Sequence, residues 1–396
     1  MMAQAMARTK PDLSTLKPET RLVLAAREFS QHGIIAPPVY HASTYLFPTL
    51  ADFYAPDKEY SYGRRGTPTS RAFESAVAML EGGYAAKAGP SGLAAVSSAL
   101  LAFLKAGDHL LMTDSVYSPV RHLCDTLLSG LGIETTYYDP VAGAGIASLI
   151  RPGTRMVYCE SPGSLTLEVQ DIPAIAEVAH ARGILVAADN TWSGGYYFNA
   201  FAHGADLSIH AATKYIGGHA DMMLGTVTCT ETVWPRFREG FETLGQFAGP
   251  DDMAMALRGL RTLDVRLKRH MENALTVAAW LQTQDSVEEV IYPALPDSRG
   301  HQLWQRDFTG ASGLLSVILK PASRSQLAAM LDNLLVFAIG ESWGGFESLV
   351  VPFKPHRTAT QWADAGPCLR LHIGLENPAD LIADLEGGFA RLRAAA

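Results

Sequence analysis

The chain has 396 residues, 48% of them hydrophobic and 18% charged; at ~150 residues per domain this suits two or three soluble globular domains and excludes a small module or a disordered chain. With 32 Lys and Arg against 40 Asp and Glu the net charge is −8, too acidic for a protein whose main task is to neutralise phosphate backbones, so no nucleic-acid partner is expected. Cys124, Cys159, Cys229 and Cys368 form no CxxC pair and the twelve His include no HExxH, which predicts no metal site and a reducing, cytoplasmic setting.

In chain order, the N-terminal MMAQAMARTKPDLS lacks the apolar core of a secretory signal. The uncharged run 88–104 is interrupted by Pro90, Ser91 and Gly92, so neither export nor a membrane span is expected. The first sixty or so residues mix turn formers with short apolar pieces and predict an extended arm packed on something else. An amphipathic helix follows over 71–80, stopped at Gly82-Gly83, and a second opens after Gly89-Pro90-Ser91 and runs to Lys105. Apolar runs at 109–113, 133–138, 155–160, 183–189 and 206–211 then alternate with helical segments such as 116–128 and 173–181. That rhythm predicts an α/β unit with a largely parallel, buried sheet. One long helix through Leu260, Leu263, Leu267 and Met271 to about Trp280, the strands VEEVIYP, GLLSVIL and CLRLHIGL, and a final helix over 380–392 read as a smaller α+β domain.

In such sheets ligands lie beyond the carboxyl ends of the strands. Three places there carry chemistry: Asp189 ending GILVAAD, Thr213-Lys214-Tyr215 after DLSIHAA, and Gly89-Pro90-Ser91-Gly92 opening a helix. Singly, a strand-end carboxylate is usually a turn former and a lysine a solvated charge. Together they supply an amine for a carbonyl, an anion for a pyridinium nitrogen and N–H groups for a phosphate, the needs of pyridoxal phosphate.

The ordered segments YSYGRRGTPTS (60–70), SVYSP (115–119), ESPGSLTLEVQDIPAI (160–175), DNTWSGG (189–195), AATKYIGGHAD (211–221), GLRTLDVRL (259–267), SWGGFESL (342–349) and LRLHIGLE (369–376) resemble the cysteine and methionine metabolism class of pyridoxal-phosphate enzymes over nearly the whole chain. The resemblance implies fold type I: an arm (1–66), a cofactor domain with a mostly parallel seven-stranded sheet (67–258) and an α+β C-terminal domain (259–396), assembled as dimers that pair into tetramers. It implies that Lys214 binds the cofactor and moves the α-proton, that Asp189 pairs with the pyridine nitrogen and that Tyr117 stacks on the ring. The phosphate would be held by the N–H groups of Gly92 and Leu93, by Thr213, and by Tyr62 and Arg64 of the adjacent subunit. Arg370, with Ser342 and Trp343, would clamp the substrate α-carboxylate; Arg65 is a candidate for the distal carboxylate, and Ser164 for a contact near the cofactor's phenolic oxygen. Relatives often carry serine, asparagine and methionine where this chain has Ala211, Ser164 and Leu93, so cofactor affinity is expected to rest more on Arg64.

The resemblance, carried at this point by DNTW, ESPGSLT and SWGGFES, implies β-elimination of L-cystathionine to homocysteine, pyruvate and ammonia, with other cysteine S-conjugates as side substrates. Composition does not separate it from the γ-elimination and γ-replacement reactions of the same class. A pyridoxal-phosphate-binding regulatory protein without catalysis is the rival from outside enzymology; the presence of Lys214, Tyr117 and Arg370 together weighs against it.

Overall fold

In the computed structural model, which describes residues 13, 15–56, 58–362 and 366–395, the apolar runs become strands of two sheets. The larger holds β1 (Ala85–Gly89), β2 (His109–Thr113), β3 (Glu134–Tyr138), β4 (Thr154–Glu160), β5 (Leu185–Asp189), β6 (Leu207–His210) and β7 (Gly225–Cys229), in the order β1-β7-β6-β5-β4-β2-β3. Pairings from β3 across to β6 are parallel, and β7 runs against both its neighbours. The mostly parallel seven-stranded sheet is therefore present.

Helices α1 (Pro18–Leu24) and α2 (Leu50–Tyr54) are short islands in the otherwise irregular N-terminal stretch, which leaves Ile35, Leu46 and Tyr54 largely exposed. Helix α3 (Pro68–Glu81) starts on a Thr67 capping box and stops at Gly82, while α4 (Gly92–Phe103) is capped by Ser91. They pack on β1 and β7, two strands that the hydrophobic pattern alone did not reveal. For β1 the reason is its composition, AAKAG, small side chains that let helices approach closely but carry little β signal; β7, GTVTC, has β-branched residues but is only five residues long and holds a single large aliphatic side chain. The 116–128 segment forms α5 (Ser118–Leu123), which continues as a π-helical turn over Cys124–Leu128, and 173–181 corresponds to α6 (Ile172–His180).

After α7 (Trp234–Thr243), the expected single long helix is two: α8 (Pro250–Leu260) and α9 (Leu263–Leu281), broken at Arg261-Thr262. Arg266 accounts for the break, because its guanidinium donates to the carbonyls of Gly259, Tyr215 and Ile216 and so ties the helix junction to the turn after Lys214. Leu263 and Leu267 of α9 join the core beneath α3 and α8, whereas Ala274, Val277 and Leu281 join the core of the second sheet. That sheet contains β8 (Val287–Ile291), β9 (Leu314–Leu319), β10 (Ala338–Ile339), β11 (Leu349–Phe353) and β12 (Cys368–His372) in the order β10-β11-β12-β9-β8. Helices α10 (His301–Asp307), α11 (Arg324–Leu331) and α12 (Pro378–Ala394) complete the C-terminal part. Among the described residues no helix is long and apolar enough to cross a membrane.

Candidate active site

Asp189 ends β5 and Glu160 ends β4, and the two are register partners, so parallel pairing alone places their side chains together at the carboxyl edge of the sheet. Asp189 Oδ1 accepts from the N–H (3.0 Å) and hydroxyl (2.6 Å) of Thr191, and Oδ2 accepts from the Tyr158 hydroxyl at 3.3 Å. Burial pushes its pKa up against those hydrogen bonds, and burial followed by the charge of Asp189 pushes Glu160 well above the carboxylate range. Among the described residues no cationic side chain forms an ion pair with Asp189, so a protonated ring nitrogen fits there as its counter-charge.

Beyond β6, the Lys214 ammonium donates to Ser342 Oγ at 2.6 Å and lies 5.3 Å from the centre of the Trp343 ring. Burial first, then the charge of Arg370, lowers its pKa to about 8, against the pull of Asp189 and Glu341. Arg370, on β12, donates through Nη2 to the Ser342 carbonyl at 2.8 Å, while its buried Nε has no partner. A half-buried guanidinium with an unspent donor fits a carboxylate. The loop between these groups is tightly seated. Gly344 has φ +85°, and a Cβ there would lie 2.8 Å from the Lys214 carbonyl carbon. Its N–H donates to His372 Nε2 at 3.2 Å, and burial lowers the pKa of that ring to about 3.

Tyr117, at the start of α5, donates its N–H to Glu160 Oε2 at 2.8 Å. Burial, then the charges of Glu341 and Glu160, raises its pKa, with Arg370 opposing. At the head of α4, Ser91 Oγ accepts from the N–H of Ala94, and the N–H groups of Gly92 and Leu93 have no acceptor among the described residues. A Cβ on Gly92 would approach Ala211 Cβ to 2.7 Å, so the helix end and the Lys214 turn can meet only with glycine there. Free N–H groups at a helix start, a buried anion and a lysine of lowered pKa along one sheet edge form a donor set that fits pyridoxal phosphate.

Other expected residues stand apart from this cluster or are otherwise engaged. The Thr213 hydroxyl is spent on Leu224, accepting from its N–H at 2.9 Å and donating to its carbonyl at 3.1 Å. The Ser164 N–H donates to the Ser115 carbonyl at 2.8 Å. Tyr62, Arg64 and Arg65 line a separate cavity of about 240 Å³ with Glu74, Lys87 and Met253, where Arg64 donates to the Glu242 carbonyl at 2.7 Å. Within the chain they do not meet Lys214. Sequence reasoning missed Glu160, Thr191 and Glu341; the first was open to the same strand-end rule that found Asp189, since it closes RMVYCE.

A family model described as Cys/Met metabolism PLP-dependent enzyme matches residues 19–390. Cystathionine beta-lyase MetC of Escherichia coli is 43% identical over 392 residues, covering 95% of this chain and 99% of that protein. A cystathionine beta-lyase of Salmonella typhimurium is 42% identical over 388 residues, covering 94% and 98%. The crystal structure of cystathionine gamma synthase from Xanthomonas oryzae pv. oryzae in complex with cystathionine superposes with a TM-score of 0.89 at 30% identity, covering 96% of this chain and 99% of that one.

Proposed function

Because the chain belongs to the Cys/Met metabolism family of pyridoxal-phosphate-dependent enzymes, we propose that it is a cystathionine β-lyase, splitting L-cystathionine into homocysteine, pyruvate and ammonia. The observation that carries this reading is the meeting of Lys214, Ser342 and Arg370 at the edge of the sheet that ends in Asp189. When bound, pyridoxal phosphate supplies an aldehyde carbon for amines and a ring that takes up electrons released at the substrate α-carbon. Lys214 first serves as the amine that holds the cofactor. With its pKa near 8 a sizeable fraction is neutral at physiological pH, so once free it can accept the α-proton and later return a proton to the departing thiolate. Arg370 grips the α-carboxylate through its fork and so fixes the Cα–H bond toward Lys214. Asp189 would keep a ring nitrogen protonated by its charge, and Tyr117 would stack on the ring. The N–H groups of Gly92 and Leu93 would hold the phosphate, joined by the Thr213 hydroxyl only where it exchanges its bond to the Leu224 carbonyl and by Tyr62 and Arg64 of a neighbouring subunit, in a dimer that pairs into a tetramer. The exposed Ile35, Leu46 and Tyr54 support that assembly. The four cysteines, all buried and none in a disulfide, support a cytoplasmic location.

A γ-directed reaction is the rival reading, supported by the likeness to a gamma synthase. Product identification separates the two. With cystathionine as substrate, β-elimination yields pyruvate, whereas 2-oxobutyrate as the main product overturns the proposal.

A further inference from the structure

Strands β11 and β12 are antiparallel neighbours with Phe353 opposite Cys368, a geometry that a hairpin loop of about two to five residues can close. The chain instead uses residues 354–367, and long connections of this kind usually serve a purpose beyond reversal. Residues 357–360 of this strap cross to the larger sheet and dock on Asp114, the residue that follows β2. The side chain of Asp114 is fully buried. It accepts the N–H groups of Thr358, Ala359 and Thr360, each at 3.0 Å, and both threonine hydroxyls at 3.1 Å. Arg121 adds a charged bond of 2.6 Å. Three successive backbone N–H groups wrapped on one carboxylate form an anion nest. Burial opposes ionisation there, but the Thr358 N–H and Arg121 outweigh it and hold the pKa below its ordinary value.

The docking points flank Tyr117 along the chain. Asp114 lies just before it in the chain. Arg121, whose N–H donates to the Tyr117 carbonyl at 3.1 Å, also reaches the Thr358 hydroxyl at 3.2 Å and stacks on Tyr137. Arg357 is bound to Thr166 and to Glu168 at 2.6 Å, in the loop that follows Glu160, the acceptor of the Tyr117 N–H. The near end of the strap leaves β11 at Phe353, and β11 pairs with β12 so that Val351 lies opposite Arg370. The strap thus joins the strand pair bearing the carboxylate clamp to the turn bearing Tyr117.

We propose that Asp114 is a positioning residue: by gripping the backbone of 358–360 it sets the spacing between Tyr117 and Arg370 across the substrate. The assignment rests on the functional reading above, and its test uses the holoenzyme. Two variants loosen the latch from opposite sides. Asp114→Asn removes the charge, and a Thr358→Val/Thr360→Val double variant removes two hydroxyl donors from the strap while leaving Asp114 and Arg121 paired. The readouts are trypsin cleavage after Arg357, visible circular dichroism of the bound cofactor, and KM and kcat with whichever amino acid the wild type consumes. The last choice keeps the test valid even if the main product proves to be 2-oxobutyrate. Faster cleavage after Arg357, a changed cofactor dichroism and a fall in kcat/KM of about tenfold or more, with cofactor content retained, are expected. If Asp114→Asn does not fold, the double variant decides. A strap that is cleaved faster while dichroism, KM and kcat stay at wild-type values overturns the proposal, leaving Asp114 a brace for stability alone. Unchanged cleavage in every folded variant overturns it equally, because the strap would then not be held at Asp114.

Discussion

Lys214 Nζ and Ser342 Oγ meet at 2.6 Å although 128 residues separate them in the chain. Ser342 pays for that meeting with a left-handed backbone, φ +72°, where a side chain crowds its own carbonyl by roughly 1–2 kcal/mol. The hydroxyl faces the lysine and the carbonyl faces Arg370, so one strained residue orients both groups.

The strain is separable from the hydrogen bond. Ser342→Gly should melt higher than Ser342→Ala by an amount equivalent to roughly 1 kcal/mol, since only glycine relieves the conformation. Both variants lose the hydroxyl, so both should show a lowered kcat. Equal melting temperatures would show that the left-handed backbone costs nothing.

Lys214 should react as an amine of lowered pKa. Adding pyridoxal phosphate to cofactor-free enzyme and following the visible band by stopped flow, the rate should climb with pH up to about 8 and level off above it, because only the neutral amine attacks a carbonyl. Lys214→Ala should give a folded protein with no borohydride-sensitive band and no lyase turnover. A rate still climbing steeply beyond pH 9 contradicts the lowered pKa.

Arg370→Ala should raise KM and also lower kcat, because the clamp orients the Cα–H bond as well as binding the carboxylate. The loss in kcat/KM should be on the order of 2–5 kcal/mol. Arg370→Lys should recover only part of it, since a lysine cannot reproduce the two-pronged contact. Wild-type kcat/KM in Arg370→Ala removes this residue from the site.

Subunit sharing is open to complementation. Arg64 reaches the Glu242 carbonyl and not the Lys214 cluster of its own chain, so a mixed dimer of Arg64→Ala with Lys214→Ala should carry both lesions in one site and none in the other. Random reassortment of equal amounts makes about half the dimers mixed and restores about a quarter of wild-type activity. With mixing confirmed by differential tags, recovery no greater than the mean of the separate mutants means that Arg64 serves its own subunit.

The inner strands β2, β4, β5 and β6 are legible in the sequence because each is an apolar run buried on both faces. Asp189 and Lys214 are legible because polar residues directly after such runs must lie at the carboxyl edge. Strand β1 escapes notice because AAKAG owes its place to the helix packed on it, and its central Lys87 is buried only through Glu74 at 3.8 Å and the Arg65 carbonyl. The break between α8 and α9 is equally silent, for the leucine period continues across it while Arg266 draws the junction toward the Lys214 turn.

By itself the sequence determined the α/β rhythm, the strand-end anion and amine, and the glycine-led helix start, all consequences of local periodicity and turn chemistry within a few residues. The tertiary structure decided what those groups face: Ser342 and Arg370 against Lys214, Glu160 beside Asp189, and the 357–360 strap on Asp114, 244 residues away from Thr358. Such contacts join loops whose conformations are set by the surfaces they dock on. No local pattern encodes them, because the energy that holds a left-handed serine or a nest of N–H groups in place is released only when the distant partner is already there.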